Sequence, residues 1–217
     1  MNFAKARNLM VENQLRPNKI NDPKILSIFN EINKEQFLNN DLQSIAYSDV
    51  DLNLIGNRGY LKNLHIAQLI QHSNIKKEDK VLHIGGLTGY VTLLLSRLSD
   101  YLVVIENDKN LLKKLEENLN KLKLINVEIF NSDLKLGYKE KSPYDLIFID
   151  CPINSFSNEI LDQLNFKQGR LIAIEKINGD LGKGVRITKN NKNYNKEILF
   201  DAFSKLILYR HKEEFIF

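Results

Sequence analysis

The chain has one cysteine, four prolines and ten glycines in 217 residues, and each scarcity removes options. A single Cys151 permits no internal disulfide, which suits a reducing cytosol, so the expected location is cytoplasmic. No stretch approaches the ~18 uninterrupted apolar residues that span a bilayer. The opening residues, MNFAKARNLMVENQLRPNKI, carry charges throughout and lack the apolar core of a secretion signal, so no membrane partner is expected. Basic residues exceed acidic ones only by 31 to 27, a net charge of +4, with no long basic block. That balance describes a solvated Lys- and Asn-rich surface, and no nucleic-acid partner is expected. His65, His72 and His211 have no acid or cysteine at ligand spacing, which argues against a metal site. Internal repeats and low-complexity linkers are also missing.

What remains is enough for one buried core, since 43% of the residues are hydrophobic. Residues 1–79 read as an N-terminal helical extension ending in a loop, and residues 80–217 as an α/β core, together one compact domain. Phe3 to Leu15 supports a helix stopped near Arg16-Pro17, because the residue before proline avoids the α region. Asp22-Pro23 is a cap followed by proline at the first helical position, and Ile25, Leu26, Phe29 and Ile32 recur at helical spacing. Ala46 to Tyr60, with scattered Gly and Asn, reads as a loop.

From Lys80 strands and helices alternate. Apolar runs at Val81–Ile84, Leu102–Glu106, Val127–Phe130, Leu146–Asp150 and Leu171–Glu175 predict five parallel strands. Tyr90, Val91, Leu94, Leu95 and Leu98 form one helix face between them, and Leu111, Leu115, Leu119 and Leu122 another. Runs this uniformly apolar suit strands covered on both faces, hence a mostly parallel twisted sheet with helices on each side. GVRITKNNKNYNKEILF predicts a C-terminal antiparallel edge hairpin.

In such a sheet ligands sit beyond the carboxyl ends of the strands, where VLHIGGLTGY, Val81 to Tyr90, turns from strand to helix. Gly85, Gly86 and Gly89 allow tight turning and close ligand approach. Glu106 ends the second strand 21 residues after Gly85, a spacing that lets its carboxylate accept hydrogen bonds from both ribose hydroxyls of an adenosine. The same Glu106 also reads as a cap for the helix that follows. Asp133, in Asn-Ser-Asp, either faces an adenine edge or makes an ordinary turn.

The residues carry a resemblance to the protein-L-isoaspartate O-methyltransferase family, which uses S-adenosylmethionine. Met10 to Leu38 resembles the family's Met-Val-acid-x-Gln-Leu, Asp-Pro and Glu-x-Phe signature. AYSDVDL, Ala46 to Leu52, resembles its Ala-Tyr-x-Asp-x-x-Leu. SDLKLGY, PYDLIFI and LDQLNFKQGRLIAIE are similar to three later segments, so the likeness covers about residues 5 to 217. It implies a Rossmann-like S-adenosylmethionine-dependent methyltransferase fold. It also implies a peptide or protein substrate carrying an isoaspartyl residue, and a repair activity. It assigns the donor to Gly85, Gly86, Gly89, Glu106 and Asp133, with Leu134 beside the adenine, and places Asp49 on the acceptor side.

Two segments depart from the family. The donor loop usually reads acid-x-Gly-x-Gly-x-Gly, and here His83 replaces the acid and Leu87 the middle glycine. A leucine resists positive φ, and a neutral imidazole accepts one hydrogen bond but cannot copy a carboxylate. His83 is therefore either a donor-loop residue or a satisfied structural one. IGNRGYLKN, Ile55 to Asn63, stands where the family has Gly-x-Gly-Gln-Thr-Ile-Ser-Gln-Pro, so the acceptor serine is absent. Arg58 either substitutes for it by pairing with a substrate carboxylate or is a solvated loop cation. Three readings stay open: an isoaspartyl carboxyl methyltransferase, a methyltransferase with another acceptor, and a non-catalytic protein that kept the sheet.

Overall fold

A computed structural model of the chain describes residues 1–209. Helix α1 (Phe3–Met10) runs on through a π-helical turn, 11–15, and a 3₁₀ turn, 16–18. Lys19, at a left-handed φ of 65°, stops the run. Helix α2 (Pro23–Glu31) begins as its sequence dictates. The Asp22 carboxylate accepts from the Lys24 and Ile25 amides at 2.8 and 3.4 Å, and Ile25, Leu26, Ile28 and Phe29 are buried. A short α3 (Asn40–Gln43) follows.

Residues 46–60, expected as a loop, instead contain a two-stranded antiparallel hairpin, β1 (Leu52–Ile55) and β2 (Arg58–Tyr60), turned at Gly56 with φ 55°. Its strands are too short and too unevenly buried to show alternation. Gly59 belongs there because a Cβ on it would lie 1.9 Å from the Leu52 carbonyl oxygen. Helix α4 (Asn63–Ser73) then buries Ile66, Ala67, Leu69 and Ile70 and packs on the sheet, in a stretch to which the sequence reading assigns no element.

The main sheet has seven strands in the order β5-β4-β3-β6-β7-β8-β9. They are β3 (Lys80–Ile84), β4 (Tyr101–Glu106), β5 (Val127–Asn131), β6 (Leu146–Ile149), β7 (Lys167–Asn178), β8 (Leu181–Asn190) and β9 (Asn193–Phe203). The first five in that order are parallel, and β8 and β9 complete the sheet antiparallel, as the apolar runs predict. Helices α5 (Tyr90–Ser96) and α6 (Lys109–Lys121) pack on β4, and α7 (Asn158–Leu161) precedes β7. Every residue from Leu102 to Ile105 and from Leu146 to Ile149 is fully buried, the signature of strands covered on both faces. Leu111, Leu115 and Leu119 of α6 are buried, whereas Leu122 lies past the helix end and is exposed. Among the described residues no helix is long and apolar enough to cross a membrane.

Candidate functional site

Strand β3 is flanked by β4 on one side and β6 on the other, so the chain order reverses there and a crevice opens beyond its carboxyl end. The turn from Gly85 to Gly89 lies in that crevice. The Gly85 and Gly86 amides both donate to the Ile105 carbonyl, at 3.0 and 3.1 Å, which ties the turn to β4. Three of its five residues have left-handed backbones: Gly85 at φ 88°, Leu87 at 52° and Gly89 at 102°. Gly86 and Gly89 are small because α6 lies on them. A Cβ on Gly86 would stand 2.6 Å from Val104 Cγ2 and 2.8 Å from Leu115 Cδ2, and one on Gly89 3.1 Å from Leu115 Cδ1. Leu87 adopts the glycine-like backbone at a cost of roughly 1–2 kcal/mol. Full burial of its side chain offsets that cost.

Glu106 ends β4 with its carboxylate fully buried. Oε1 accepts from Arg58 Nη1 at 2.8 Å and from the Asn107 and Asp108 amides at 2.9 and 3.0 Å. Oε2 accepts from Arg58 Nη2 at 2.7 Å and from the Leu87 amide at 3.0 Å. Five donors on a group with about four lone-pair sites leave it no capacity for another. The cap of α6 is not Glu106 but Asp108, which accepts from the Asn110 and Leu111 amides at 2.9 Å each.

Arg58, expected on the acceptor side or in solvent, stands at the Gly85–Gly89 turn, carried there by the β1–β2 hairpin. Burial opposes its charge, but the hydrogen bonds and charge of Glu106 outweigh that and raise its pKa above the ordinary guanidinium value. Its Nε is buried with no partner among the described residues. A Cβ built on Gly85 would meet Leu208 Cδ1 at 2.9 Å and Arg58 Nη2 at 3.4 Å, so these two side chains cover the open face of that glycine.

His83 is fully buried. Its Nδ1 lies 3.0 Å from Thr92 Oγ1 and its Nε2 3.3 Å from Asp150 Oδ1, and Asp150 Oδ2 is buried without a partner among the described residues. Asp133 is exposed and accepts from the Lys135 amide at 2.9 Å, while Leu134 beside it is buried. Asp49 lies away from this cluster, paired with Lys62 at 3.3 Å on the rim of a cavity of about 670 Å³ that Asp51, Asn57, Lys205 and Leu206 also line. The structure thus brings Gly85, Gly86, Gly89, Glu106 and Arg58 together, with His83 buried behind them at Asp150.

Sequence reasoning missed several members of the cluster. The Tyr60 hydroxyl, fully buried, accepts from the Thr88 and Tyr90 amides at 3.3 and 3.0 Å and so occupies the N-terminus of α5. Lys34 is also fully buried. It donates to Asn63 Oδ1 at 2.8 Å and lies 5.6 and 5.3 Å from the ring centres of Tyr60 and Tyr90. Burial lowers its pKa to about 7, against the pull of Asp51 and Asp150. The available signal was the run of charged and aromatic replacements from Arg58 to Lys62. Asp150 closes an apolar strand, and Lys34 gave no local signal.

The profile of the family described as Protein-L-isoaspartate(D-aspartate) O-methyltransferase matches residues 5–203. The chain belongs to that family. A protein-L-isoaspartate O-methyltransferase of Syntrophus aciditrophicus is 31% identical to it over 202 residues, 91% of either chain. One from Methanoculleus marisnigri is 30% identical over 78% of this chain and 76% of its own. A solved structure described as protein-L-isoaspartate O-methyltransferase superposes with a TM-score of 0.76 over 93% of this chain at 22% identity, which shows the fold. The chain spans 65% of that longer molecule. Family membership accounts for the strand order and the glycine turn. The segment after Phe203, which brings Leu208 to Gly85, lies beyond the matched span.

Proposed function

We propose that this chain is an S-adenosylmethionine-dependent protein carboxyl O-methyltransferase of the isoaspartyl class, acting on damaged aspartyl residues of peptides and proteins in the cytoplasm. The observation that carries this reading is the Gly85–Gly89 turn set against a buried strand-end carboxylate, in a chain the family profile covers almost throughout. The acceptor chemistry is undemanding. A carboxylate with a pKa of about 4 is already ionised at neutral pH, so the protein has to position it rather than deprotonate it. The cavity beside Asp49 and Asp51, with Lys62 and Lys205 on its wall, has the cations to hold such a group. Asp49 and Lys62 are its proposed acceptor-side residues.

The residues as they stand do not fit the donor. Glu106 has no acceptor capacity left for a ribose diol, Leu208 and Arg58 cover Gly85, and Tyr60 fills the amides that open α5. Activity of this chain therefore requires a conformation in which Arg58 has left Glu106.

The test is labelled S-adenosylmethionine with a short peptide carrying an isoaspartyl residue and with its aspartyl twin. Label on the isoaspartyl peptide alone supports the reading, and equal label on both moves the chain to another acceptor. A second reading, a non-catalytic member that kept the sheet, is favoured by one observation, the closed Arg58–Glu106 pair. No label on either peptide together with no donor binding at millimolar concentration selects it.

A further inference from the structure

We infer that Ser204–Tyr209, acting with Arg58, is an intrasteric strap that occupies the donor crevice, so that S-adenosylmethionine binds only by displacing it. The inference rests on the donor assigned above and concerns a segment outside the family match.

The strap's course carries the argument. It leaves β9 at Ser204, whose hydroxyl donates to Asp51 Oδ2 at 2.6 Å. The Ile207 amide then donates to the Asn57 carbonyl in the hairpin turn, and the Leu208 amide to the Pro152 carbonyl after β6, at 2.8 Å each. Leu208 is buried against Gly85 after β3. Tyr209 ends beside the loop after β5, its ring centre 5.3 Å from Lys135 Nζ. The strap thus crosses the loops that follow β6, β3 and β5, at the reversal of strand order where an open α/β sheet holds its ligand. Its parts also match a nucleoside in kind: a guanidinium saturates the carboxylate that a ribose diol would need, and an aromatic ring ends beside the loop of Asp133.

The strap sinks Leu206 and Leu208 into the core while its backbone runs between two cavities. On one side lies a cavity of about 380 Å³ lined by Gly56, Arg58, Asn107, Asp108, Ile207 and Tyr209, and on the other the 670 Å³ cavity beside Asp49. Each is of the size range, roughly 300–1,000 Å³, that suits a small molecule. Anchored at Ser204 by Asp51, Asp180 and Lys176, the rest of the strap is held by the Ile207 and Leu208 amide bonds and by the Leu206 and Leu208 side chains. Arg58 is imperfectly housed, since its buried Nε has no partner among the described residues. Lifting the strap and withdrawing Arg58 would join the cavities over Gly85 and free both oxygens of Glu106.

Calorimetric titration of S-adenosylmethionine into the full chain, into Leu208→Ala and into Arg58→Ala tests the exchange, with amide hydrogen exchange at Ile207 and Leu208 in parallel. The parent is expected to bind weakly, each variant at least 10-fold more tightly, and saturating donor to speed exchange at both amides of the parent. Leu208→Ala keeps the Arg58–Glu106 pair, so it serves if Arg58→Ala does not fold. Donor bound to the parent with both amides still protected overturns the strap, as does a folded Leu208→Ala with parental affinity. If Leu208→Ala gains donor affinity but labels no isoaspartyl peptide, the methyltransferase reading fails and the strap stands.

Discussion

The two sides of the sheet's carboxyl edge hold similar charges in opposite ways. On the proposed donor side Arg58 and Glu106 form a bidentate pair with backbone donors around the carboxylate, their side-chain exposures 13% and 0%. On the proposed acceptor side Asp49 and Lys62 meet at 3.3 Å with side-chain exposures of 52% and 24%, beside an open cavity. Water screens the second pair and is kept from the Glu106 carboxylate of the first. The difference teaches where a substitution acts: a charge removed from the donor side leaves its partner stranded in low dielectric, whereas one removed from the acceptor side is replaced by water.

The largest expected effect follows directly. Arg58→Ala should destabilise the fold by about 3–5 kcal/mol near neutral pH, because it strips the side-chain partner from a buried carboxylate. Urea unfolding measures this. Replacing both members, Arg58→Met with Glu106→Gln, should cost less than Arg58→Ala alone, since no buried charge is orphaned. A double variant no more stable than the single one would mean that the pair's value lies in packing, and the contrast between the two sides would lose its electrostatic basis.

Lys34 sharpens the comparison from behind the donor side. Its folded pKa of about 7 lies below the ordinary 10.5, so between those values the unfolded chain binds more protons than the folded one. Stability should therefore rise as pH goes from about 7 to about 10.5, by an amount on the order of a few kcal/mol. Lys34→Met should flatten that rise in denaturation midpoints measured at pH 7 and 9. A slope unchanged in the variant would assign the proton to another group.

How much of this was legible beforehand depends on the range of the interaction. The inner parallel strands could be read because strands buried on both faces are apolar runs regardless of their neighbours, and even the half-buried edge strand β5 keeps an apolar run. The cap at Asp22 was equally local. Arg58 was legible only as an oddity, since its partner is 48 residues away and the hairpin that aims it is too short to announce itself. Leu87 looked incompatible with its turn, yet it takes the left-handed backbone because a buried side chain compensates, which no local rule reports. The readings of His83 did not name Asp150, its partner 67 residues on. The covering of Gly85 by Leu208 was invisible for the same reason.

His65 is a smaller probe, on the acceptor half of the molecule. Burial, with help from the Lys62 charge, lowers its pKa from 6.5 to about 4, and its Nδ1 has no partner among the described residues. The unfolded chain thus binds the extra proton between those values. Stability from this group is fully present above pH 6.5 and is lost as pH falls toward 4, by at most roughly 2–3 kcal/mol. His65→Phe should remove that acid sensitivity in thermal melts between pH 7 and 4.5. If the melts of variant and parent fall together, other groups govern the acid limb.

The smallest effect is expected at Asp49. Its carboxylate is half exposed and, among the described residues, its ion pair is with a lysine whose main chain is fixed independently, the Lys62 amide donating to Asp51 Oδ1 at 2.8 Å. Losing the charge should leave the lysine free to point into water, at little cost in either state. Asp49→Asn is therefore expected to change stability by less than about 0.5 kcal/mol, and what change there is should fade as salt rises toward 1 M. Urea midpoints at low and high salt check both statements. A loss above about 1.5 kcal/mol that persists in salt would place Asp49 in surroundings as dry as those of Glu106, and the two sides of the edge would then differ in geometry but not in solvation.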